Sequence, residues 1–397
     1  MALRAYLETN LPGMCDTPDG ARWLASYIDP AHGDCQTVPD EDNTPSLCVR
    51  TNFNFTIDKD FFVSPDYNGS DVPDNLDFCV YLTPFPDFPV MVIGYFFFMA
   101  GGSPVRKQKA CLIPDANVTA FITTATGNVS EMRCMYKGCT MHYTGNQYNN
   151  EGSLTAASVV IPCEEVATST TGDTDSIGKL WRTSMLPVGP DNISNASQSF
   201  ANYSLPGGIY MVQQYTGTRS LYACADKCTL EDIRGYGGVS LGPALRCTYL
   251  NRFKSEQDNT AIQWSCNLNW VCCAVDSMNT AQSLLFRVYA GWQCHYSYES
   301  GYSILETHKS FLDPRAIALA SQINAGVPSV YPAAYNDFRK VWSRVYNFLG
   351  SKAMKKAVNA VGELGGGFAT VSSIYNALFF SVCNKHNNNP MGNSKVD

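Results

Sequence analysis

Charge is scarce in this chain: Asp, Glu, Lys and Arg make up 16% of 397 residues, with 28 basic against 35 acidic side chains and a formal net charge of −7. A disordered segment would combine few apolar residues with a strong charge imbalance, and a chain that is 45% hydrophobic does not. Taken as a whole, the acidic balance also excludes the basic surface of a nucleic-acid binder. Histidine is rare, at five residues. Cys134/Cys139, Cys224/Cys228 and Cys272-Cys273 lack a second Cys/His pair at zinc-ribbon spacing, so no structural zinc is expected. Long apolar runs are missing too. The longest, Val90 to Ala100 (VMVIGYFFFMA), is about half of the ~20 residues a transmembrane helix needs, and its β-branched and aromatic content suits a buried strand. Glu8, Asn10 and Pro12 interrupt the first apolar stretch, so no signal peptide is expected.

Catalytic signatures are absent as well. The chain has no Gly-x-Ser-x-Gly, P-loop, GxGxxG after a strand or His-Glu-x-x-His. Cys294 and His295 are adjacent in an expected strand, which points them to opposite faces and prevents a dyad. No catalytic residue is assigned.

What the chain does have is strand signal. Leu47–Ile57 alternates with period two. Asp77–Leu82, Val90–Met99, Met132–Tyr143, Ser153–Ile161, Ile209–Tyr215 and Ser283–Tyr298 are rich in β-formers. Asn68-Gly69, Gly145-Asn146 and Pro206-Gly207-Gly208 supply turns between them. Many short strands with little helical period predict a β-sandwich or barrel. Residues 164–208 and 225–265 are polar and read as surface excursions, and residues 1–22 as an irregular arm.

Near residue 313 the pattern changes. Asp313-Pro314 opens DPRAIALASQI, a helical spacing with Asp as N-cap. Residues 335–358 then form an amphipathic helix in the pattern: Phe338, Trp342, Val345, Leu349 and Ala353 make one stripe. This segment holds six basic residues and one acid, a net +5, and residues 359–397 balance at zero, so residues 1–334 carry −12. A basic amphipathic helix suits a membrane surface, a protein partner or phosphate, or is simply a solvated face. The tail, 359–397, has Gly365-Gly366-Gly367 and an apolar stretch from Phe368 to Val382. It reads as a packed tail or as a membrane-active segment.

Two further features point elsewhere. Asn54, Asn68, Asn117, Asn128, Asn192, Asn195 and Asn202 open Asn-x-Ser/Thr sequons, and there are sixteen cysteines. Together they suit a disulfide-rich secreted or surface glycoprotein acting as a binding module. A chain rich in Asn, Ser and Thr also produces sequons by chance. Asp40-Glu41-Asp42 could be a solvated loop or a set of hard oxygen ligands for calcium.

Four stretches carry a resemblance: Trp23–Ile57 (WLASYIDPAHGDCQTVPDEDNTPSLCVRTNFNFTI), Val129–Val159 (VSEMRCMYKGCTMHYTGNQYNNEGSLTAASV), Ser283–Tyr298 (SLLFRVYAGWQCHYSY) and Phe311–Gly350 (FLDPRAIALASQINAGVPSVYPAAYNDFRKVWSRVYNFLG). In this order they resemble the capsid proteins of small non-enveloped positive-strand RNA viruses, of the noda-like and tombus-like single jelly-roll type. The resemblance implies a mainly β protein: an eight-stranded antiparallel jelly-roll shell domain over 23–312 with long loop insertions, followed by C-terminal internal helices over 313–358. Its partners would be further copies of itself in an icosahedral homo-oligomer, genomic single-stranded RNA and an unidentified host receptor. It would assemble in the host cytoplasm and reside in the virion. No cofactor is implied, although calcium at subunit interfaces is compatible with it. Arg339, Lys340, Arg344, Lys352, Lys355 and Lys356 would contact RNA, while Phe338, Trp342, Val345 and Leu349 pack under the shell. Some relatives cleave their own chain beside an Asn, and Asn324-Ala325 and Asn359-Ala360 flank the basic helix. The family's basic N-terminal arm is not matched: residues 1–40 hold Arg4 and Arg22 against Glu8, Asp16, Asp19, Asp29, Asp34 and Asp40.

Overall fold

The computed structural model describes residues 15–333 except 41–43, 63–73, 84–88, 101–102, 117, 119–128, 146–150, 162, 171–176, 198–199, 214–224, 233–244, 254–269, 297–300 and 307–310. The expectations for 1–14 and for 334–397, including the basic helix, lie outside the described residues.

In chain order the strands are β1 (Leu47–Ile57), β2 (Asn75–Leu82), β3 (Val90–Ala100), β4 (Ser103–Ile113), β5 (Val129–Tyr143), β6 (Ser153–Val159), β7 (Cys163–Thr170) and β8 (Ile177–Thr183). They continue with β9 (Phe200–Ser204), β10 (Ile209–Gln213), β11 (Ala225–Asp232), β12 (Leu245–Phe253), β13 (Trp270–Asn279), β14 (Leu284–Tyr296) and β15 (Val330–Pro332). The helices are α1 (Pro18–Ile28), α2 (Pro190–Ala196) and α3 (Pro314–Gly326). The strands form a five-stranded sheet in the order β1-β14-β5-β10-β15, a six-stranded sheet in the order β4-β3-β2-β13-β6-β9, and a four-stranded sheet in the order β11-β12-β8-β7. All the pairings are antiparallel. The protein is mainly β.

Alternation decides which residues go inside. In β1, Arg50, Asn52, Asn54 and Thr56 are exposed, while Phe53 and Phe55 pack toward the core. That core lies between the five- and six-stranded sheets and includes Ile57, Phe78, Val80, Met141, Val271 and Phe286. Central strand β13 is buried on both faces. Val271, Cys273 and Val275 enter the core, whereas Trp270, Cys272 and Ala274 face a second cluster that includes Leu186, Val188 and Ile193 of α2. Adjacent Cys272 and Cys273 therefore point apart. A third cluster, with Trp23, Tyr27, Tyr136, Tyr210, Leu319 and Ile323, fixes α1 and α3 to the far face of the five-stranded sheet.

The stretches 164–208 and 225–265, read from sequence as surface excursions, carry β7, β8, α2 and β9, and β11 and β12, with β7, β8, β11 and β12 sharing one sheet. Segments such as CEEVATST and LRCTYLNRF mix Val, Thr and Tyr with polar residues, so they have strand propensity without an apolar run.

Candidate functional site

The two helices on the five-stranded sheet join distant parts of the chain. Thr17 caps α1 by accepting the Gly20 amide at 2.9 Å, with Pro18 in the first turn. Asp313 caps α3 by accepting the Ala316 amide at 2.9 Å. The same buried carboxylate accepts the Thr17 amide at 2.7 Å and the Thr17 hydroxyl at 3.0 Å. One anion thus serves two helix N-termini, where both dipoles favour negative charge. Gly20 permits the approach, because a Cβ there would overlap the Asp313 carboxylate. At the other end the Tyr27 hydroxyl donates to Asn324 Oδ1 at 2.6 Å. Asn324 and Ala325 lie within α3, so cleavage between them requires local unwinding of a helix tied to α1.

Below this layer sits a run of buried polar groups. Asp29, 1% exposed, accepts the Tyr210 hydroxyl at 2.8 Å and lies 2.8 Å from His32 Nδ1. Arg133, 2% exposed, donates to both Asp40 oxygens at 2.5 and 3.1 Å, and to Gln293 Oε1 at 3.0 and 2.8 Å. Gln293 in turn donates to Ser46 Oγ at 3.0 Å. Lys137 is fully buried, donates to the Thr83 carbonyl and stands 4.8 Å from the centre of the Trp292 ring. Burial lowers its pKa to about 8.

The structure changes the reading of the acidic cluster. Asp40 is buried rather than solvated, with Arg133 donating to both its oxygens; Glu41 and Asp42 lie outside the described residues. Among the described residues, no group of three or more His, Cys, Asp and Glu is arranged to hold a metal. Cys294 is buried beside Trp292, while His295 Nδ1 stands 3.0 Å from the Pro45 carbonyl oxygen. Ten described cysteines are free thiols. Burial pushes Cys79 up to about 11 and Cys15 and Cys48 up to about 12, which leaves them poor nucleophiles.

Arg339, Lys340, Arg344, Lys352, Lys355 and Lys356, and the stripe Phe338, Trp342, Val345 and Leu349, all lie outside the described residues. The strand that leads to them is described. β15 pairs with β10 at the edge of the five-stranded sheet, and the Ala333 amide donates to the Gly208 carbonyl at 3.3 Å. Gly208 is required at this junction: its φ is +59°, and a Cβ would collide with the Met141 carbonyl. The sequence marked Asp313 only as a cap. It gave no local sign of the bonds from Thr17, nor of the burial of Lys137, Arg133 and Asp29.

No known family model and no curated protein matches the chain. Solved structures do match. T=1 particles derived from infectious bursal virus share 11% identity at a TM-score of 0.47, over 82% of this chain and 96% of that one. The Gx strain of infectious bursal disease virus shares 11% at a TM-score of 0.48, over 81% and 99%. The VP2 subviral particle of the same virus shares 10% at a TM-score of 0.47, over 81% and 99%.

Proposed function

We propose that the chain is a viral capsid subunit that self-assembles into an icosahedral shell around single-stranded RNA, with residues 335–358 touching the genome. The observation that carries this reading is the strand order. Strands β1, β2, β5, β6, β9, β10, β13 and β14 fall into two facing runs, β1-β14-β5-β10 and β2-β13-β6-β9. Every connection among these eight except β6 to β9 passes from one sheet to the other, which is the doubled Greek key of a jelly roll. The remaining strand pairs, β3–β4, β7–β8 and β11–β12, are insertions after β2, β6 and β10. Strand alternation makes all three leave the sandwich at the same end, and β3–β4 folds back beside β2 to widen the six-stranded sheet.

Jelly rolls serve capsids and lectins alike. What favours the capsid is the set of four sequence stretches, together with a +5 segment that follows β15. The narrower assignment to the noda-like and tombus-like type rests on those stretches alone. Lys and Arg neutralise phosphate without reading sequence, which suits packaging. Replacing four of Arg339, Lys340, Arg344, Lys352, Lys355 and Lys356 by Gln yields shells poor in nuclease-protected RNA. Shells filled as in the wild type refute the RNA role.

One observation favours the glycoprotein reading: Asn54, Asn192, Asn195 and Asn202 are all exposed. Deeply buried free thiols on Cys79, Cys139, Cys272 and Cys273 oppose it. Intact mass under reducing and non-reducing conditions, before and after glycosidase, separates the two.

A further inference from the structure

Among the described residues, six strands end the three sheets: β1, β15, β4, β9, β7 and β11. A sheet edge exposes unpaired N–H and C=O groups, and proteins protect it with Pro or charge. Five of the six carry one or the other in their sequence. Arg50 lies in β1, Pro332 in β15, Pro104 in β4, Glu164 in β7 and Lys227 in β11. The exception is β9, Phe-Ala-Asn-Tyr-Ser, with neither.

Among the described residues, no strand pairs with the outer edge of β9. The Leu205 amide donates to the Gly152 carbonyl, which continues the β6–β9 register in which Ser204 faces Ser153. By antiparallel alternation, Ala201 and Tyr203 spend their backbone groups on β6, while those of Phe200, Asn202 and Ser204 point away from the sheet. Phe200, Asn202 and Ser204 are exposed, and Ala201 and Tyr203 pack toward the core. Phe200 is 51% exposed, and Val160, which follows the paired strand β6, is 69% exposed.

We propose that β9 pairs with β9 of a second copy of this chain, antiparallel across a two-fold axis centred on Asn202. A neutral strand with no Pro is complementary to itself: Phe200 of each copy lies opposite Ser204 of the other, and Asn202 lies opposite Asn202. The contact is isologous and closed, and it joins the two six-stranded sheets edge to edge. A standard interface buries about 800 Å² per partner, so the strand pair is the centre of a larger contact. This inference rests on the shell reading and deepens it by naming a contact between copies. It also excludes a glycan on Asn202, whose sequon lies on the pairing strand.

The test uses charge at the self-facing position. Like charges directly opposite across a strand pair repel, whereas opposite charges attract. The full-length chain is compared with Asn202→Asp, Asn202→Lys and an equimolar mixture of the two, by sedimentation velocity and particle yield. Far-UV circular dichroism checks that each folds. Each variant alone is expected to associate at least tenfold more weakly than the wild type, and the mixture to recover. Wild-type association in both single variants overturns the inference, and so does a loss that the mixture does not restore. If the wild type forms shells while the variants show no charge pattern, the shell reading survives and the β9 contact fails. If the charge pattern appears in dimers that never close into shells, the contact stands and the shell reading fails.

Discussion

Lys137 offers the sharpest test of the packing between the two main sheets. Its ammonium is fully buried, bonded to the Thr83 carbonyl and set against Trp292. Burial lowers its pKa from 10.5 to about 8. At 1.36 kcal/mol per pH unit, holding that charge in the folded chain costs about 3 kcal/mol below pH 8. Between pH 8 and 10.5 the unfolded chain keeps the proton and the folded chain has released it. Stability contributed by this group therefore rises with pH across that window. Buried thiols such as Cys79 act the other way: their contribution is present below pH 9 and lost as pH climbs toward about 11. They are common to the wild type and to Lys137→Met, so they cancel in the difference. The assay is urea unfolding of both chains at pH 7 and pH 10.5. At pH 7 the Met variant should be more stable by about 1–2 kcal/mol, because the relieved charge outweighs one lost hydrogen bond. By pH 10.5 the difference should shift by about 3 kcal/mol in favour of the wild type. A difference that stays constant with pH refutes a buried cation at this position.

Three other substitutions probe the helical layer and its junctions. Asp313→Ala removes the cap of α3 and the anchor of Thr17, and should cost about 2–4 kcal/mol in urea unfolding. Asp40→Ala strands the Arg133 charge and should cost about 3–5 kcal/mol, whereas Asp40→Leu combined with Arg133→Met should recover most of that loss. Gly208→Ala meets both a positive φ and the Met141 carbonyl, and should lower thermal stability by the equivalent of at least about 2 kcal/mol.

The parts of the fold that were legible in sequence were those whose signal is local. The alternation of Leu47–Ile57 matches β1 from end to end, and Asp313-Pro314 marked the start of α3. Strand β4 was hidden by Arg106, Lys107 and Lys109, which dilute its apolar residues. Strand β13, buried on both faces, carries no periodic signal: WVCCAVDSMN is a short apolar run without alternation, ambiguous by period alone. The buried polar groups were illegible for a different reason. Lys137 stands in MYKGC as one polar residue on an alternating strand, and its burial comes from Thr83 and Trp292, far away in the chain. Likewise Asp40, beside Glu41 and Asp42, carries no local sign of Arg133, which holds it from 93 residues further on.

The measurement that tests the central claim most directly is expression of the full chain alone, followed by negative-stain electron microscopy and sedimentation. The shell reading predicts closed spherical particles of uniform diameter that sediment far ahead of a single 43.6 kDa chain. A folded chain that remains monomeric at high concentration, with no particles in the images, contradicts it.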